Sequence, residues 1–369
     1  MSRVRIFLIP LFLVVCFGGC QLRNHDSASR ANGKVKVFIL SGQSNMTGRG
    51  TLSYNHLSVE KQPRSTLLGL ATSPEHREKY AFLREGELRT EDGWRLRDDV
   101  FITTGEWPHV KKGEEGYDPG KKHGPLGPYF GGRGNRGFGP EWAIGHHLGD
   151  YYEDPVLLVK VAFGNNGLAR HFRPPSSGGE TGPRYPMILK AVEDALKHLP
   201  ELIPNYSDRP GYELVGFFWN QGLSDLSYKS SGEYKVNLEN LIKDLRKDLK
   251  TPQLKVSVAI TGNWGWGKKN YREHLEEYAT GRKIPIEKFM KDRGDEFLDS
   301  LIAVRRAQES VAEIPAFRRN VNYAETRDFW RPGKEFGGHG TWQHWSANAE
   351  SYWLIGDSMG KAMLRLLSL

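Results

Sequence analysis

A serine that follows a buried strand is the clearest candidate for chemistry in this chain. The apolar run at residues 35–40 stops at the segment SGQSNM, residues 41–46. Gly42 permits a sharp turn that exposes Ser44 at the carboxyl edge of a sheet, where backbone N–H groups can meet a developing oxyanion. Taken alone, the segment could equally be an ordinary strand-to-helix turn. Ser44 is therefore a candidate nucleophile whose partners must come from other parts of the chain.

Two later apolar runs end in turns of the same kind. The run PVLLVKVAF at residues 155–163 leads into Gly164, and the run ELVGFFW at residues 213–219 leads toward Gln221. The carboxyl ends of parallel strands meet at one edge of a sheet, so we expect both turns to lie beside Ser44. The Gly164 N–H and the Gln221 amide could complete an oxyanion hole with the Ser44 N–H, and each such donor contributes about 2.7–4 kcal/mol to acyl transfer.

The general base should be a histidine that follows the last strand. Residues 337–345, GGHGTWQHW, contain both His339 and His344. We prefer His344 because the polar residues 346–348 lead from it into a closing helix, which places it in a loop at the sheet edge. His339 is the alternative.

Two other motifs look functional but have the wrong context. His146 and His147 are neighbours on a predicted helix, so their rings point in different directions and do not form a metal-binding pair. Residues 356–360, GDSMG, match the G-x-S-x-G pattern of a nucleophile elbow. No strand precedes them and no histidine follows them, so we predict a helix there. The sequence predicts no metal site and requires no cofactor.

Five apolar runs, predicted as strands, alternate with segments of helical periodicity. This alternation predicts a three-layer α/β/α sandwich with a central parallel sheet of about five strands. The strands are expected at residues 35–40, 155–163, 213–219, 254–260 and, more weakly, 319–324, and the helices at 141–151, 185–199, 233–249, 297–312 and 349–367.

Residues 50–139 interrupt the alternation because they are rich in charge, glycine and proline. They predict one long insertion between the first strand and the first helix, within a single domain that spans residues 34–369. Loops at the carboxyl ends of parallel strands build the sites of such sheets, so we expect the insertion to wall the pocket. A surface excursion without contact to substrate is the alternative.

The N-terminus predicts export. Arg3 and Arg5 precede an apolar run at residues 6–17 that is too short to span a membrane. Small residues before Cys20 are typical of a lipoprotein cleavage site, so residues 1–20 are predicted as a lipoprotein signal with Cys20 as the lipidated residue. Ordinary cleavage and free secretion is the alternative. Either way, we expect the mature chain in the periplasm or the outer cell envelope.

Composition limits the possible functions. Both cysteines, Cys16 and Cys20, lie in the predicted signal, so the folded domain has neither an internal disulfide nor a cysteine nucleophile. The formal net charge of +8 is spread along the chain rather than clustered. Together with export, this pattern argues against nucleic acid as a partner. The one membrane contact that we predict is the lipid anchor at Cys20.

These blocks together resemble the SGNH-hydrolase superfamily, specifically its sialate O-acetylesterase and acetylxylan esterase-like branch. The resemblance rests on GQSNM after the first strand, a glycine turn after the second, WNQGLSD after the third, and a late histidine. It extends from Val35 to the final helix. It implies a flavodoxin-like fold, Ser44 as nucleophile, His344 as base, and Gly164 and Gln221 in the oxyanion hole.

Two positions depart from the family pattern. Leu223 stands where many relatives have a glutamate, and Thr341 stands where an aspartate often precedes the histidine. The residue that orients the base is therefore left open between a backbone carbonyl and several acids. The candidate acids are Asp225, Glu335 and Asp328.

Aromatic and cationic side chains near these blocks are candidates for substrate binding. Trp264, Trp266, Trp342 and Trp345 could stack on sugar rings, and Arg170 or Arg173 could pair with a substrate carboxylate. Each could equally pack in the core or lie solvated at the surface.

The sequence therefore predicts a serine esterase that removes acetyl groups from a carbohydrate. One alternative is a non-catalytic, glycan-binding surface lipoprotein with a decayed site, which the missing aspartate suggests. Another is a lipase or phospholipid esterase of the same fold.

Overall fold

The computed structural model describes most of the chain after the predicted signal. The described residues are 33–105, 123–132, 137–204, 206, 211–266, 276, 280, 283–291, 295–331 and 342–369. The predicted signal at residues 1–20, its Cys20, and the candidates Glu335 and His339 lie outside them. Among the described helices, none is both long enough and apolar enough to cross a lipid bilayer.

Seven strands form the central sheet within the described residues. They are β1 (Val35–Gly42), β3 (Val100–Thr104), β4 (His123–Pro125), β6 (Val156–Ala162), β7 (Tyr212–Asn220), β8 (Lys255–Ala259) and β9 (Val321–Ala324), while β2 (Gly50–Thr51) and β5 (Gly137–Phe138) pair separately. The spatial order of the sheet is β4-β3-β6-β1-β7-β8-β9, and every neighbouring pair is parallel except β3 and β4.

All five predicted strands form, as β1, β6, β7, β8 and β9. Numbered along the chain, these five lie in the order 2-1-3-4-5, which is the order of flavodoxin-like sheets. Consecutive residues of β1 and β6 are buried, so both faces of the sheet are covered. The predicted α/β/α class is confirmed.

The predicted count of five strands is two short, because residues 50–139 also contribute to the sheet. Within that segment, β3 is a buried run of five residues, VFITT, which pairs in parallel with β6. Its neighbour β4 is the short, largely exposed run HGP, which carries no apolar pattern. The charged and glycine-rich surroundings hide both strands from a reading of periodicity.

Helices pack on this sheet and on one another. They are α1 (Ser44–Thr47), α2 (Leu67–Thr72), α3 (Arg77–Tyr80), α4 (Glu141–Tyr151), α5 (Arg184–Lys197), α6 (Leu199–Leu202), α7 (Tyr228–Asp248), α8 (Ile286–Phe289), α9 (Asp295–Ser310) and α10 (Ala349–Leu367). The C-terminal helix α10 packs on α4 and on β8 and β9, and α7 packs on α9.

The GDSMG segment lies inside α10, as predicted, and its glycines serve helix packing. A Cβ added at Gly356 would lie 2.3 Å from the Pro140 carbonyl oxygen, and one added at Gly360 would lie 2.6 Å from the His147 ring. The absence of side chains here lets α10 approach α4 closely. The two adjacent histidines of α4 diverge as predicted: His147 bonds Asp357 at 2.9 Å, whereas His146 is buried beside Arg97.

The turn after β1 requires a glycine. Gly42 has a φ of 145°, and a Cβ added to it would lie 2.1 Å from the backbone oxygen of Asn220. The Gln43 N–H donates to that same oxygen at 3.0 Å. The turns after β1 and β7 are therefore in direct backbone contact, and this contact places Ser44.

We predict that Gly42→Ala lowers the free energy of unfolding by at least about 1–3 kcal/mol, because alanine would be strained at this φ and its Cβ would collide with the Asn220 carbonyl. Chemical denaturation measures the change. Gly232→Ala is the matched control: Gly232 lies in α7, and a Cβ added to it would have nothing within 4 Å, so alanine should stabilise the helix by about 0.5–1 kcal/mol. Equal effects of the two substitutions would contradict the role assigned to Gly42.

Candidate active site

Ser44 is the first residue of α1 and follows β1 after a single residue, Gln43. It lies at the carboxyl end of β1, where the chain order of the sheet reverses between β6 and β7 and where ligands bind in open α/β sheets. The side chain of Ser44 lies against Gly164: a Cβ added at Gly164 would be 4.0 Å from the Ser44 Cβ. The structure therefore brings these two predicted site residues together.

Two backbone donors at this point are open. Within the described residues, no acceptor takes the N–H of Ser44 or the N–H of Gly164. Gly164 is exposed to solvent, and its neighbour Phe163 donates instead to the Gly42 carbonyl at 3.0 Å. Paired open N–H groups beside a serine hydroxyl have the composition of an oxyanion hole.

The side-chain amide of Gln221 is directed into the protein, where it donates to buried acceptors. Its Nε2 donates to Asp225 Oδ2 at 2.6 Å, and it also lies 3.2 Å from Gln43 Oε1 and from the Asn166 carbonyl. The side chain is only 2% exposed. An amide nitrogen has two hydrogens, and these buried acceptors take both. The geometry thus corrects the expectation that Gln221 faces the reacting ester.

Asp225 anchors the loop that starts at Gly164. It is buried and accepts hydrogen bonds from the backbone N–H groups of Leu168 at 2.7 Å and Ala169 at 2.9 Å. Burial raises the pKa of this carboxyl, and the hydrogen bonds only partly oppose that effect. Both oxygens are occupied by loop donors and by Gln221. Asp225 is therefore placed to fix the loop.

Gln43 is a site residue that the sequence argument passed over. Its Oε1 accepts from the backbone N–H of Gly222 at 3.1 Å, from that of Ser224 at 3.2 Å, and from Gln221 Nε2. It thereby ties the Ser44 turn to the turn after β7. The sequence offered one sign of this role, the position of Gln43 directly before Ser44 in the GQSNM motif.

The segment that carries His344 is tied to the segment that carries Ser44. Asn45 Nδ2 donates to the Gln343 carbonyl at 3.0 Å, so the residues next to the predicted nucleophile and base are bonded to each other. Asn263 Nδ2 donates to the adjacent Trp342 carbonyl at 3.0 Å. The Tyr352 hydroxyl holds Asn45 by donating to its Oδ1 at 2.9 Å. His344 itself is half-buried.

A left-handed turn follows His344. Trp345, Ser346 and Ala347 have φ values of 53°, 51° and 57°, although none is a glycine. Such backbone conformations cost about 1–3 kcal/mol each and persist only where surrounding contacts hold them. Here the Trp345 ring packs on Trp330, with ring centroids 5.6 Å apart, and the Asn348 N–H closes the turn onto the Trp345 carbonyl at 2.9 Å.

The remaining candidate acid in the described chain is directed elsewhere. Asp328 is exposed and its Oδ1 accepts a hydrogen bond from the Trp266 indole at 2.7 Å. Arg327 lies over the same indole ring at 3.7 Å. Asp328 therefore belongs to a surface cluster around Trp266.

The tryptophans divide into buried and exposed members. Trp264 and Trp345 are 1% and 2% exposed, and Trp264 packs on Trp342 with ring centroids 4.5 Å apart. Their ring faces are covered by other aromatic rings, so the expectation that they stack on a sugar does not fit the structure. Trp266, at 63% exposed, is the one of this group that presents a large surface to solvent.

The two candidate arginines also differ. Arg173 pairs with Glu233 at 2.7 Å and donates to three backbone carbonyls, which leaves it a structural role. Arg170 is exposed and lines a cleft of about 640 Å³ together with His171 and Lys229. Of the two arginines, Arg170 therefore remains the candidate for binding an anion.

Comparison with known proteins assigns the middle of the chain to a family. The model of the family described as carbohydrate esterase, sialic acid-specific acetylesterase, matches residues 115–300. This stretch contains Gly164, Gln221 and Asp225, and it starts after Ser44 and ends before His344.

Individual proteins that resemble this chain share only a minority of its residues. The chain is 26% identical over 262 residues to a probable carbohydrate esterase of Arabidopsis thaliana, covering 68% of this chain and 76% of that protein. An X-ray structure of a protein from Arabidopsis thaliana superposes with a TM-score of 0.48 and 18% identity, over 90% of this chain and 98% of that one. The crystal structure of NanS superposes with a TM-score of 0.49 and 14% identity, over 91% and 98% of the two chains.

We predict that Asp225→Asn lowers the free energy of unfolding by about 1–3 kcal/mol. Both carboxylate oxygens accept hydrogen bonds, whereas the amide NH2 group of asparagine would face one of those donors instead of accepting from it. Asp328→Asn, at an exposed position, should stay within about 0.5 kcal/mol of the parent. Denaturant titration of both variants measures the difference. An Asp225→Asn protein as stable as the parent would show that the loop does not depend on this carboxylate.

Proposed function

The chain belongs to the carbohydrate esterase family of sialic acid-specific acetylesterases, and from that membership we propose that it is a serine hydrolase that removes O-acetyl groups from sugars with Ser44 as nucleophile. As a member of this family it is a carboxylic ester hydrolase. The nucleophile, the base and the sugar are the parts of this assignment that we propose. The main support for this proposal is the hydrogen bond from Asn45 to the Gln343 carbonyl. This bond joins the segments of the predicted nucleophile and base at the sheet edge, where the N–H groups of Ser44 and Gly164 have no acceptor among the described residues.

The proposed reaction has two halves. His344 takes the proton of the Ser44 hydroxyl as Oγ attacks the acetyl carbonyl carbon, and the N–H groups of Ser44 and Gly164 stabilise the resulting oxyanion. The sugar oxygen leaves with the proton from His344, and an acetyl-enzyme remains. A water molecule, deprotonated by His344, then attacks that ester, and acetate leaves as Ser44 regains its proton.

The N-terminal segment complements this proposal. Its basic and apolar pattern ending at Cys20 supports export and lipid attachment, which would place the enzyme where acetylated extracellular polysaccharides and glycans are encountered.

We predict that Ser44→Ala and His344→Ala each lower kcat/KM for p-nitrophenyl acetate and for an acetylated sugar at least about 10³-fold, because nucleophile and base act as a unit. Acetate release by purified protein measures the effect. Ser358→Ala is the matched control, since this serine belongs to the GDSMG segment inside α10, and its activity should equal that of the parent.

Different outcomes would point elsewhere. Activity of Ser44→Ala equal to that of the parent would exclude Ser44 as nucleophile. A parent that bound glycan but hydrolysed no acetyl ester would favour the glycan-binding alternative. A parent that preferred long-chain esters would favour a lipase.

The cleft beside the Gly164 loop bears on the choice of sugar. Arg170 follows Ala169, whose N–H is fixed by Asp225, so the arginine stands on an anchored part of the loop. Lys229 and His171 line the same cleft. The cleft is also lined by Glu180 and by Glu233, and Glu233 pairs with Arg173. Because Arg170 has no hydrogen-bond acceptor among the described residues, its guanidinium favours a substrate that carries a carboxylate.

We predict that Arg170→Met raises KM about 10-fold for an acetylated sugar that carries a carboxylate, which corresponds to the loss of one charge-assisted hydrogen bond. KM for a neutral acetylated sugar should not change. Steady-state kinetics on the two substrates makes the comparison, with Lys190→Met, a surface substitution in α5, as the control. Equal changes for both sugars would contradict a role of Arg170 in recognising a carboxylate.

A further inference from the structure

A charged side chain lies in the middle of the buried sheet. Lys160 belongs to the central strand β6, where it is paired with Leu40 of β1 on one side and Thr104 of β3 on the other. It is 3% exposed, and Glu141 at the start of α4 is 0% exposed. The run PVLLVKVAF already carried the signal, because one lysine interrupts an otherwise apolar strand.

Every donor of this lysine is used. Nζ donates to Glu141 Oε2 at 2.7 Å and to the carbonyl oxygens of Thr47 and Phe130 at 2.9 Å each. An ammonium group has three N–H bonds, so these acceptors satisfy it. The other oxygen of Glu141 accepts the Gly139 N–H at 2.7 Å. The pair is thus a closed, fully bonded unit.

The Thr47 carbonyl connects this unit to the nucleophile. Thr47 is the last residue of α1, and Ser44 is the first. The Thr47 hydroxyl donates to the Ser44 carbonyl at 2.6 Å, and the Gly48 N–H donates to the same oxygen at 3.0 Å. The Gly132 N–H also donates to the Thr47 carbonyl at 3.0 Å. Lys160 therefore fixes the end of a single helical turn whose other end carries the proposed nucleophile.

Stability alone does not account for such a pair. Removing two charges from water is costly, and replacing a buried ion pair by neutral groups of similar shape is often neutral or stabilising. Burial lowers the pKa of Lys160 although the Glu141 carboxylate opposes this effect, so desolvation is not fully offset. What the pair does that apolar side chains cannot do is hold a carbonyl of α1 in one position.

We propose that Lys160, held by Glu141, is a positioning residue that sets the orientation of Ser44 through the Thr47 carbonyl without touching the substrate. The inference rests on the proposed function, since it assigns a role in the reaction of Ser44. Misplacement of a reacting group by about 1 Å lowers a rate about 100-fold. The loss of this contact should therefore reduce kcat and leave KM nearly unchanged.

The test is the double variant Lys160→Met with Glu141→Gln, which removes both charges, preserves the side-chain shapes and retains an acceptor for the Gly139 N–H. We expect a lower thermal midpoint, since the Phe130 carbonyl loses the donor that Lys160 supplies. At a temperature where the variant is folded, we expect an unchanged KM for p-nitrophenyl acetate and a kcat about 10- to 100-fold lower. The rate of covalent inactivation by a small sulfonyl fluoride, which reports on Ser44 directly, should fall by a similar factor.

A second buried ion pair provides the matched control. Arg97 and Asp99 are 7% and 4% exposed and bond each other at the opposite edge of the same strands, where the Asp99 carbonyl accepts the Val156 N–H at the start of β6. Arg97→Met with Asp99→Asn should leave kcat and the inactivation rate unchanged, whatever its effect on the thermal midpoint. If kcat fell equally in both double variants, a general effect of buried ion pairs on folding would replace the positioning role.

A second variant covers the case in which the methionine protein does not fold. Lys160→Gln with Glu141→Gln keeps polar groups at both positions, but a glutamine has too few hydrogens and too short a side chain to replace all three bonds. Its kcat should fall about threefold or more at unchanged KM. An unchanged kcat in this variant would overturn the inference.

Ser44→Ala, assayed in parallel, separates the two proposals. Activity that survives Ser44→Ala would contradict the proposed function, and the positioning role with it. Activity that is lost in Ser44→Ala but unchanged in the Lys160 variants would contradict the positioning role alone.

Discussion

The hydrogen bonds that join Gln43, Gln221 and Asp225 are the constraint on which the site depends. Three parallel strands end at one edge, and the polar groups of their turns are buried there against one another. Gln43 Oε1 accepts hydrogen bonds from the turn after β7, and the Asp225 carboxylate accepts hydrogen bonds from the loop after β6. Because a buried polar group without a partner costs about 1–3 kcal/mol, each of these turns stabilises the other two.

This mutual dependence leaves a small set of groups free for chemistry. Gln43 Oε1, Gln221 Nε2 and the Asp225 carboxylate are all engaged in hydrogen bonds at this edge, whereas within the described chain the backbone N–H groups of Ser44 and Gly164 are not. An oxyanion hole built from backbone groups needs such support, since a peptide N–H can be aimed only by fixing the loop that carries it. Gln221 and Asp225 thus help to fix the loop that begins at Gly164.

Periodicity and turn chemistry were sufficient to predict part of the fold from the sequence. The alternation of apolar runs and helical segments predicted β1, β6, β7, β8 and β9, and the context of GDSMG predicted a helix correctly. The strand β3 was missed because five buried residues lie within a charged segment, and the antiparallel β4 has no apolar pattern at all. The inward direction of Gln221 and the burial of Trp264 and Trp345 depend on contacts between distant segments, which residue type and spacing do not specify.

Ser44 is held from two sides by interactions of different kinds. On one side, Asn45 bonds the carbonyl of Gln343 and so links α1 to the left-handed turn that follows His344. On the other side, Lys160 bonds the carbonyl of Thr47 from within the sheet. A four-residue helix has almost no stability of its own, because its nucleation cost is never recovered by further turns. Its geometry must therefore come from these outside contacts, one from a buried lysine and one from the segment that leads into a strained turn.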